Sequence, residues 1–178
     1  MEAAALTGCA RQSLRTAAYF DRRPAAVLAA LNSVLDESIS MPFVTVLCTR
    51  VRPNPDGTHA DVELATAGHP APIIVRADGG VEQAEVYGTA AGVVSEMAYG
   101  AVSLRLHRGD TMLLFTDGID EARGDDGQYG TERLHALLPT YAGASPEIIC
   151  EAVEQDVIEY LDGRRHDDMA LLAVTCGR

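Results

Sequence analysis

Between Arg108 and Gly118 the chain reads Arg-Gly-Asp, then Thr-Met-Leu-Leu-Phe-Thr from Thr111 to Thr116, then Asp117-Gly118. An apolar run this short, bounded by turn residues on both sides, is the pattern of a buried strand rather than a helix. It delivers the carboxylate of Asp117 to the edge of a sheet. Near the C-terminus the order is reversed: Asp167-Asp168 stands immediately before the apolar run Met169 to Val174. If the two strands are antiparallel neighbours, the end of the first lies beside the start of the second, and Asp117 meets Asp167. Carboxylates gathered at one place repel one another and raise each other's pKa unless a cation sits between them. Clustered carboxylate oxygen selects hard ions such as Mg²⁺ or Mn²⁺. The two runs therefore predict a divalent-metal site.

The rest of the composition narrows the partners. A net charge of −12 opposes binding to a phosphate backbone, so nucleic acid is not expected. The four cysteines, Cys9, Cys48, Cys150 and Cys176, form no Cys-x-x-Cys pair, which points to neither a zinc site nor a disulfide framework. Reduced thiols fit a cytoplasmic protein. No apolar run approaches the roughly 20 residues that cross a bilayer, and no membrane association is expected for this segment. With 178 residues and no linker-like stretch, one domain over residues 1–178 is predicted.

Alanine-rich sequence from Glu2 to about Phe20 predicts a first helix. Pro24 opens a second, in which Val27, Leu28, Leu31, Val34 and Leu35 recur at helical spacing to about Ser38. Strand patterns follow at Phe43 to Val51, Val62 to Ala67, Ile73 to Arg76, Val81 to Val86 and Val102 to His107. Gly88 to Gly100 carries no periodicity and is expected to be loop. Ile119 to Gly130 reads as an acidic surface loop, with Asp120, Glu121, Asp125 and Asp126 on a solvated face. A helix is predicted from about Thr131 to Tyr141, and another after Ser145, the cap, and Pro146, its first residue. Helices, antiparallel strands and further helices make an α+β domain.

The ordered set Phe43-Val44-Thr45, Ala67-Gly68-His69-Pro70, Gly109-Asp110, Phe115 to Ala122, Tyr129-Gly130 and Asp167-Asp168-Met169-Ala170 resembles the bacterial SpoIIE-type branch of the metal-dependent protein serine/threonine phosphatases, relatives of protein phosphatase 2C. The resemblance covers essentially the whole chain. It implies an antiparallel β-sandwich flanked by helices. It also implies a two-metal cluster of Mn²⁺ or Mg²⁺ that activates a water to attack the phosphorus of a phosphoserine or phosphothreonine. Carried over to this sequence, Asp117 and Asp167 match metal ligands and catalytic residues, with Gly118 and Asp168 beside them as part of the metal site. The partner implied is a phosphorylated regulatory protein, such as an anti-sigma-factor antagonist.

The family's Gly-Asp-x-x-Asp and Gly-Asp-Val-x-Gly-Lys-Gly patterns, whose aspartate bridges the two metals, have no counterpart here. Met1 to Leu6 matches the residues that directly follow the last of those glycines, so the first strands of the fold are expected to be missing. At most one weakly bound cation is then expected, with slight or absent activity. The alternative is a phosphatase-like binding module without turnover. Missing strands would leave a sheet edge open near the first helix, and a homodimer is expected to cover it. Asp168 is expected either to accept a hydrogen bond beside the metal or to support the loop backbone. His69 and His166 are expected to be loop histidines, and Cys48 and Cys176 small strand residues.

Overall fold

The computed structural model describes residues 3–36, 43–125, 127–165 and 167–177. The elements in chain order are helices α1 (Ala3–Phe20) and α2 (Pro24–Asp36), then strands β1 (Val46–Pro53), β2 (His59–Ala67), β3 (Ile73–Val75), β4 (Val81–Gln83), β5 (Val102–His107) and β6 (Thr111–Phe115). A short helix α3 (Asp117–Asp120) and strands β7 (Arg123–Gly124) and β8 (Gly127–Gln128) follow. Helix α4 (Gly130–Leu137), helix α5 (Pro146–Leu161) and strand β9 (Leu171–Thr175) complete the chain. The chain is α+β, and it divides into two compact units.

The first unit comprises residues 1–52, 61–71 and 85–104. Its core gathers Leu28, Leu31 and Leu35 of α2 with Ala65 and Ala67 of β2, Ala91 and Tyr99. Those leucines fall at helical spacing, so α2 buries one face. Asn32 lies on the same helix and is also buried. Its amide nitrogen donates to the carbonyl of Val94 at 3.0 Å, and its oxygen accepts from the amide of Gly92 at 2.8 Å. The stretch expected to be loop, residues 88–100, is thereby tied to a helix through one buried polar side chain. Helix α1 packs on α2 but leaves most of its surface in solvent, with Tyr19 83 % and Phe20 82 % exposed. Strands β1, β2 and β5 form a three-stranded sheet in the order β1-β2-β5. Strand β1 begins three residues later than the β-branched pattern suggests, because Val44 makes only an isolated bridge to Ala91. The predicted end of α2 near Ser38 lies outside the described residues.

The second unit comprises residues 53–60, 72–84 and 105–178. Its four-stranded sheet has the order β4-β3-β6-β9, with every neighbour antiparallel. Phe115 pairs with Leu171 and Thr111 with Thr175, so the apolar runs that flank Asp117 and Asp167 are adjacent strands. Leu113 and Phe115 of β6, Leu134 of α4, and Ile149, Val153, Val157 and Leu161 of α5 share one core. Ser145 caps α5 by accepting from the amide of Ile148, with Pro146 as the first helical residue. The helix expected from Thr131 to Tyr141 is instead α4 followed by a 3-10 turn, Leu138–Tyr141. Pro139 has no N–H to extend the α-helical ladder, and the chain tightens there.

The expectation of an acidic surface loop between Ile119 and Gly130 is corrected. That segment contains the second half of α3 and the β7-β8 hairpin, because Ile119, Ala122 and Tyr129 are apolar anchors buried in the core of this unit. The amide of Tyr129 donates to the carbonyl of Ala122 at 2.7 Å and closes the hairpin.

Candidate active site

The end of β6 and the approach to β9 are fastened by Thr116. Its amide donates to the carbonyl of Ala170 at 3.1 Å, and its hydroxyl oxygen accepts from the amide of Ala170 at 2.9 Å. The same hydroxyl donates to the carbonyl of Asp168 at 3.3 Å. Residues 167–170 are therefore held against the exit of β6 by backbone geometry. The side chain of Thr116 is occupied in this way and does not cap α3.

Gly118 makes the approach possible. A Cβ on this residue would lie 2.5 Å from the carbonyl oxygen of Asp168 and 3.4 Å from that of Asp167. The first distance is shorter than real Cβ contacts allow, so only glycine fits unless the backbone moves. Asp167 is fixed in turn, its Oδ1 accepting from the amide of Asp168 at 2.9 Å.

An open cavity of about 410 Å³ lies at this junction. Asp117, Gly118, Glu121, Arg123, Arg165 and Asp167 line it. Three of the four residues singled out from the sequence thus share one cavity, and Asp117 and Asp167 both present exposed carboxylates. The side chain of Asp168 does not line it. Asp168 contributes its carbonyl against Gly118 and its amide to Asp167. His166 lies outside the described residues. The hydroxyl of Thr66 bonds both the amide and the carbonyl of His69, in the other unit.

Asp120 corrects the expectation of a wholly solvated acidic face. Its Oδ1 is buried and has no hydrogen-bond partner among the described residues. Burial raises its pKa above the ordinary carboxylate value, and the nearby charges of Glu121 and Asp117 push in the same direction. Glu121, expected on that solvated face, lines the cavity, as do Arg123 and Arg165, which the sequence did not single out. The only sequence signal was proximity to Asp117 and Asp167. What brings Arg123 in is the hairpin: a Cβ on Gly124 would lie 2.7 Å from the carbonyl of Tyr160, so β7 packs closely on α5. Arg165 follows the end of α5, where Asp162 turns in the left-handed region at φ 46°.

The donors are hard carboxylate oxygens of the kind Mg²⁺ and Mn²⁺ take. Among the described residues, no group of three His, Cys, Asp or Glu side chains is placed to hold a metal ion. Asp117 and Asp167 suit a divalent cation in kind, and they furnish two carboxylates rather than a closed cage. No described helix is long and apolar enough to cross a membrane.

Comparison with known proteins gives these features a context. The family described as Stage II sporulation protein E (SpoIIE) matches residues 1–177. The phosphoserine phosphatase RsbU of Bacillus subtilis is 24 % identical over 152 residues, covering 85 % of this chain and 44 % of that protein. The chain thus spans less than half the length of that curated relative. Among solved structures, the SiaA-PP2C domain of Pseudomonas aeruginosa superposes with a TM-score of 0.79 at 22 % identity, covering 97 % of this chain and 69 % of that one. The phosphatase domain of SpoIIE from Bacillus subtilis, presoaked with Mn, gives 0.62 at 19 % identity, covering 85 % and 65 %. The fold is therefore of the protein phosphatase 2C type.

Proposed function

The chain belongs to the SpoIIE family, and on that premise we propose that it is a metal-dependent protein serine/threonine phosphatase domain acting on a phosphorylated regulatory protein, such as an anti-sigma-factor antagonist. The observation that carries this reading is the junction of β6 and β9, where Asp117, Gly118 and Asp167 meet at one cavity. Asp117 and Asp167 are the residues that would hold Mg²⁺ or Mn²⁺. When bound, such an ion lowers the pKa of a coordinated water and neutralises charge on a transferring phosphoryl group. Asp168 and Thr116 position the acids: the Asp168 amide orients the Asp167 carboxylate, and Thr116 locks the backbone that carries it.

Two carboxylates are a poor cage for an ion that dehydrates reluctantly, so slow turnover by this chain is expected. The same shortage favours a second reading, a phosphatase-like module that binds its partner without turnover. Release of phosphate from a phosphoserine peptide with Mn²⁺ present separates the two. A Mn²⁺-dependent rate that Asp167→Asn removes supports the enzyme; undiminished peptide binding with no release supports the module. For assembly, we propose a homodimer in which the second copy covers the region of the first helix, a reading supported by the exposure of Tyr19 and Phe20 on α1. Light scattering checks this against the 18.9 kDa of one chain.

A further inference from the structure

The cavity at the β6-β9 junction holds two cations as well as its acids. Arg123 and Arg165 line it together with Asp117, Glu121 and Asp167, yet neither arginine forms an ion pair among the described residues. The adjacent Arg164 behaves differently and closes on Asp125. Arg133 and Arg76 likewise pair with carboxylates, Asp156 and Asp110. In a chain of net charge −12, two exposed guanidinium groups stand beside three carboxylates without an ion pair among the described residues, each brought to the cavity by the backbone that carries it. For Arg123 that backbone is the β7-β8 hairpin, closed by the Tyr129 amide and pressed on α5 through Gly124. For Arg165 it is the turn after α5, where the Arg164 amide donates to the Leu161 carbonyl at 3.0 Å.

We propose that Arg123 and Arg165 form the seat for the phosphoryl group of a phosphate monoester, in the cavity that the Asp117 and Asp167 carboxylates also line. This rests on the phosphatase reading of the same cavity and adds the residues that recognise the substrate. A monoester dianion carries about two negative charges near neutral pH. Two guanidinium forks match that charge and can take its oxygens bidentately. The three acids of the cavity would repel the same anion. Binding is therefore coupled to the cation: a divalent ion on Asp117 and Asp167 cancels the repulsion, and each ligand raises the affinity of the other by the same factor. The arginines bind and orient the phosphoryl group and transfer no proton, since guanidinium stays charged throughout.

Calorimetric titration of the whole chain with inorganic phosphate, without and with Mg²⁺, tests this. The expected result is saturable binding that Mg²⁺ tightens, and that Arg123→Ala with Arg165→Ala weakens by about tenfold or more. The double lysine variant should fall between them, because it keeps charge and loses the fork. Arg164→Ala, which removes a charge outside the cavity, should bind phosphate as the unmodified chain does. Both arginines are exposed, so the variants are expected to fold, and circular dichroism verifies it. Phosphate binding unchanged in the double alanine variant, or equally weakened by Arg164→Ala, overturns the proposal, as does the absence of any saturable binding with Mg²⁺ present. Turnover separates this from the phosphatase reading. If a phosphoserine peptide is hydrolysed with the same KM by the double variant, the arginine seat is wrong and the phosphatase stands. If phosphate binds through the arginines and no phosphoserine peptide is hydrolysed, the seat stands and the phosphatase reading fails.

Discussion

Asp110 and Asp117 stand at opposite ends of the same strand, and their surroundings differ in every respect that matters to a carboxylate. The side chain of Asp110 is only 5 % exposed. Its Oδ1 accepts from the Ala77 amide at 2.9 Å, and its Oδ2 from the His107 amide at 2.9 Å and from Arg76 Nη1 at 2.6 Å. Arg76 is braced by Glu82 and by the carbonyl of Arg105. Asp117, beyond Phe115, is exposed at an open cavity among other acids and two arginines that form no ion pair among the described residues. One acid has all its hydrogen bonds made within the second unit. The other is left with its oxygens toward solvent. A buried, fully bonded carboxylate holds the fold, whereas an exposed one among like charges is available to a ligand.

The largest effect should come from the closed end. Asp110→Ala removes the acceptor of the Ala77 and His107 amides and one of the partners of Arg76, a loss of about 2–3 kcal/mol for a partly buried, charge-assisted set of hydrogen bonds. Urea denaturation should show the midpoint falling at nearly constant slope. Burial on its own would raise the pKa of Asp110, but the Ala77 and His107 amides and the Arg76 charge together hold it below the ordinary value. A depressed folded pKa means that this contribution is present above the unfolded value and is lost as pH falls through the folded one. The acid limb of the stability profile should accordingly flatten in Asp110→Ala. If the variant is as stable as the parent, the contrast between the two ends fails.

How legible this was in the sequence depended on whether a residue's role is set by its neighbours in the chain. The β6 and β9 runs, the Ser145-Pro146 cap and the leucine spacing of α2 are local patterns, and they appear where the sequence puts them. The meeting of Asp117 with Asp167 could be reasoned out because antiparallel pairing follows from two bounded apolar runs. The bonding of Asp110 was hidden: in sequence it reads as the end of an Arg-Gly-Asp turn, and its partners Arg76 and Ala77 lie on another hairpin. The β7-β8 hairpin was hidden for the same reason. Its residues are acidic and glycine-rich, while the features that fold it, buried Ile119 and Tyr129 and the Tyr160 contact at Gly124, are tertiary. Arg123 and Arg165 come to the cavity through those same contacts.

A smaller effect is expected at the open end, and it should depend on the cation. Without metal, Asp117→Asn should leave stability within about 0.5 kcal/mol, as for most exposed substitutions. If the cation dissociates on the order of 1 mM, about 10 mM Mg²⁺ adds about 1.4 kcal/mol to the unmodified chain. Thermal melts should rise by a few degrees for the parent with Mg²⁺, and the rise should vanish in Asp117→Asn. Asp110 variants should keep the rise, because their acid lies at the other end of the strand. A full Mg²⁺ response in Asp117→Asn would mean that the cation sits elsewhere.

The smallest effect concerns Asp120, which lies between these extremes: half-buried where Asp110 is buried, and unbonded at Oδ1 among the described residues. Its pKa is raised by burial first, and then by the charges of Glu121 and Asp117, so the sign of its pH dependence is opposite to that of Asp110. A raised folded pKa means a contribution fully present below the unfolded value and lost as pH rises through the folded one. At neutral pH the ionised Asp120 is therefore a small liability to the metal-free chain. Asp120→Asn should be more stable than the parent there by about 0.5 kcal/mol, the scale of a mild surface-proximal change. The two proteins should converge as pH drops below the ordinary carboxylate range, where the parent side chain is neutral too. Chemical denaturation at pH 7 and near pH 4, with chelator present to exclude metal, measures both differences. A variant less stable than the parent at pH 7 would show that the Asp120 carboxylate has a bonding partner in solution, and that the strand's open end is more tightly built than its geometry indicates.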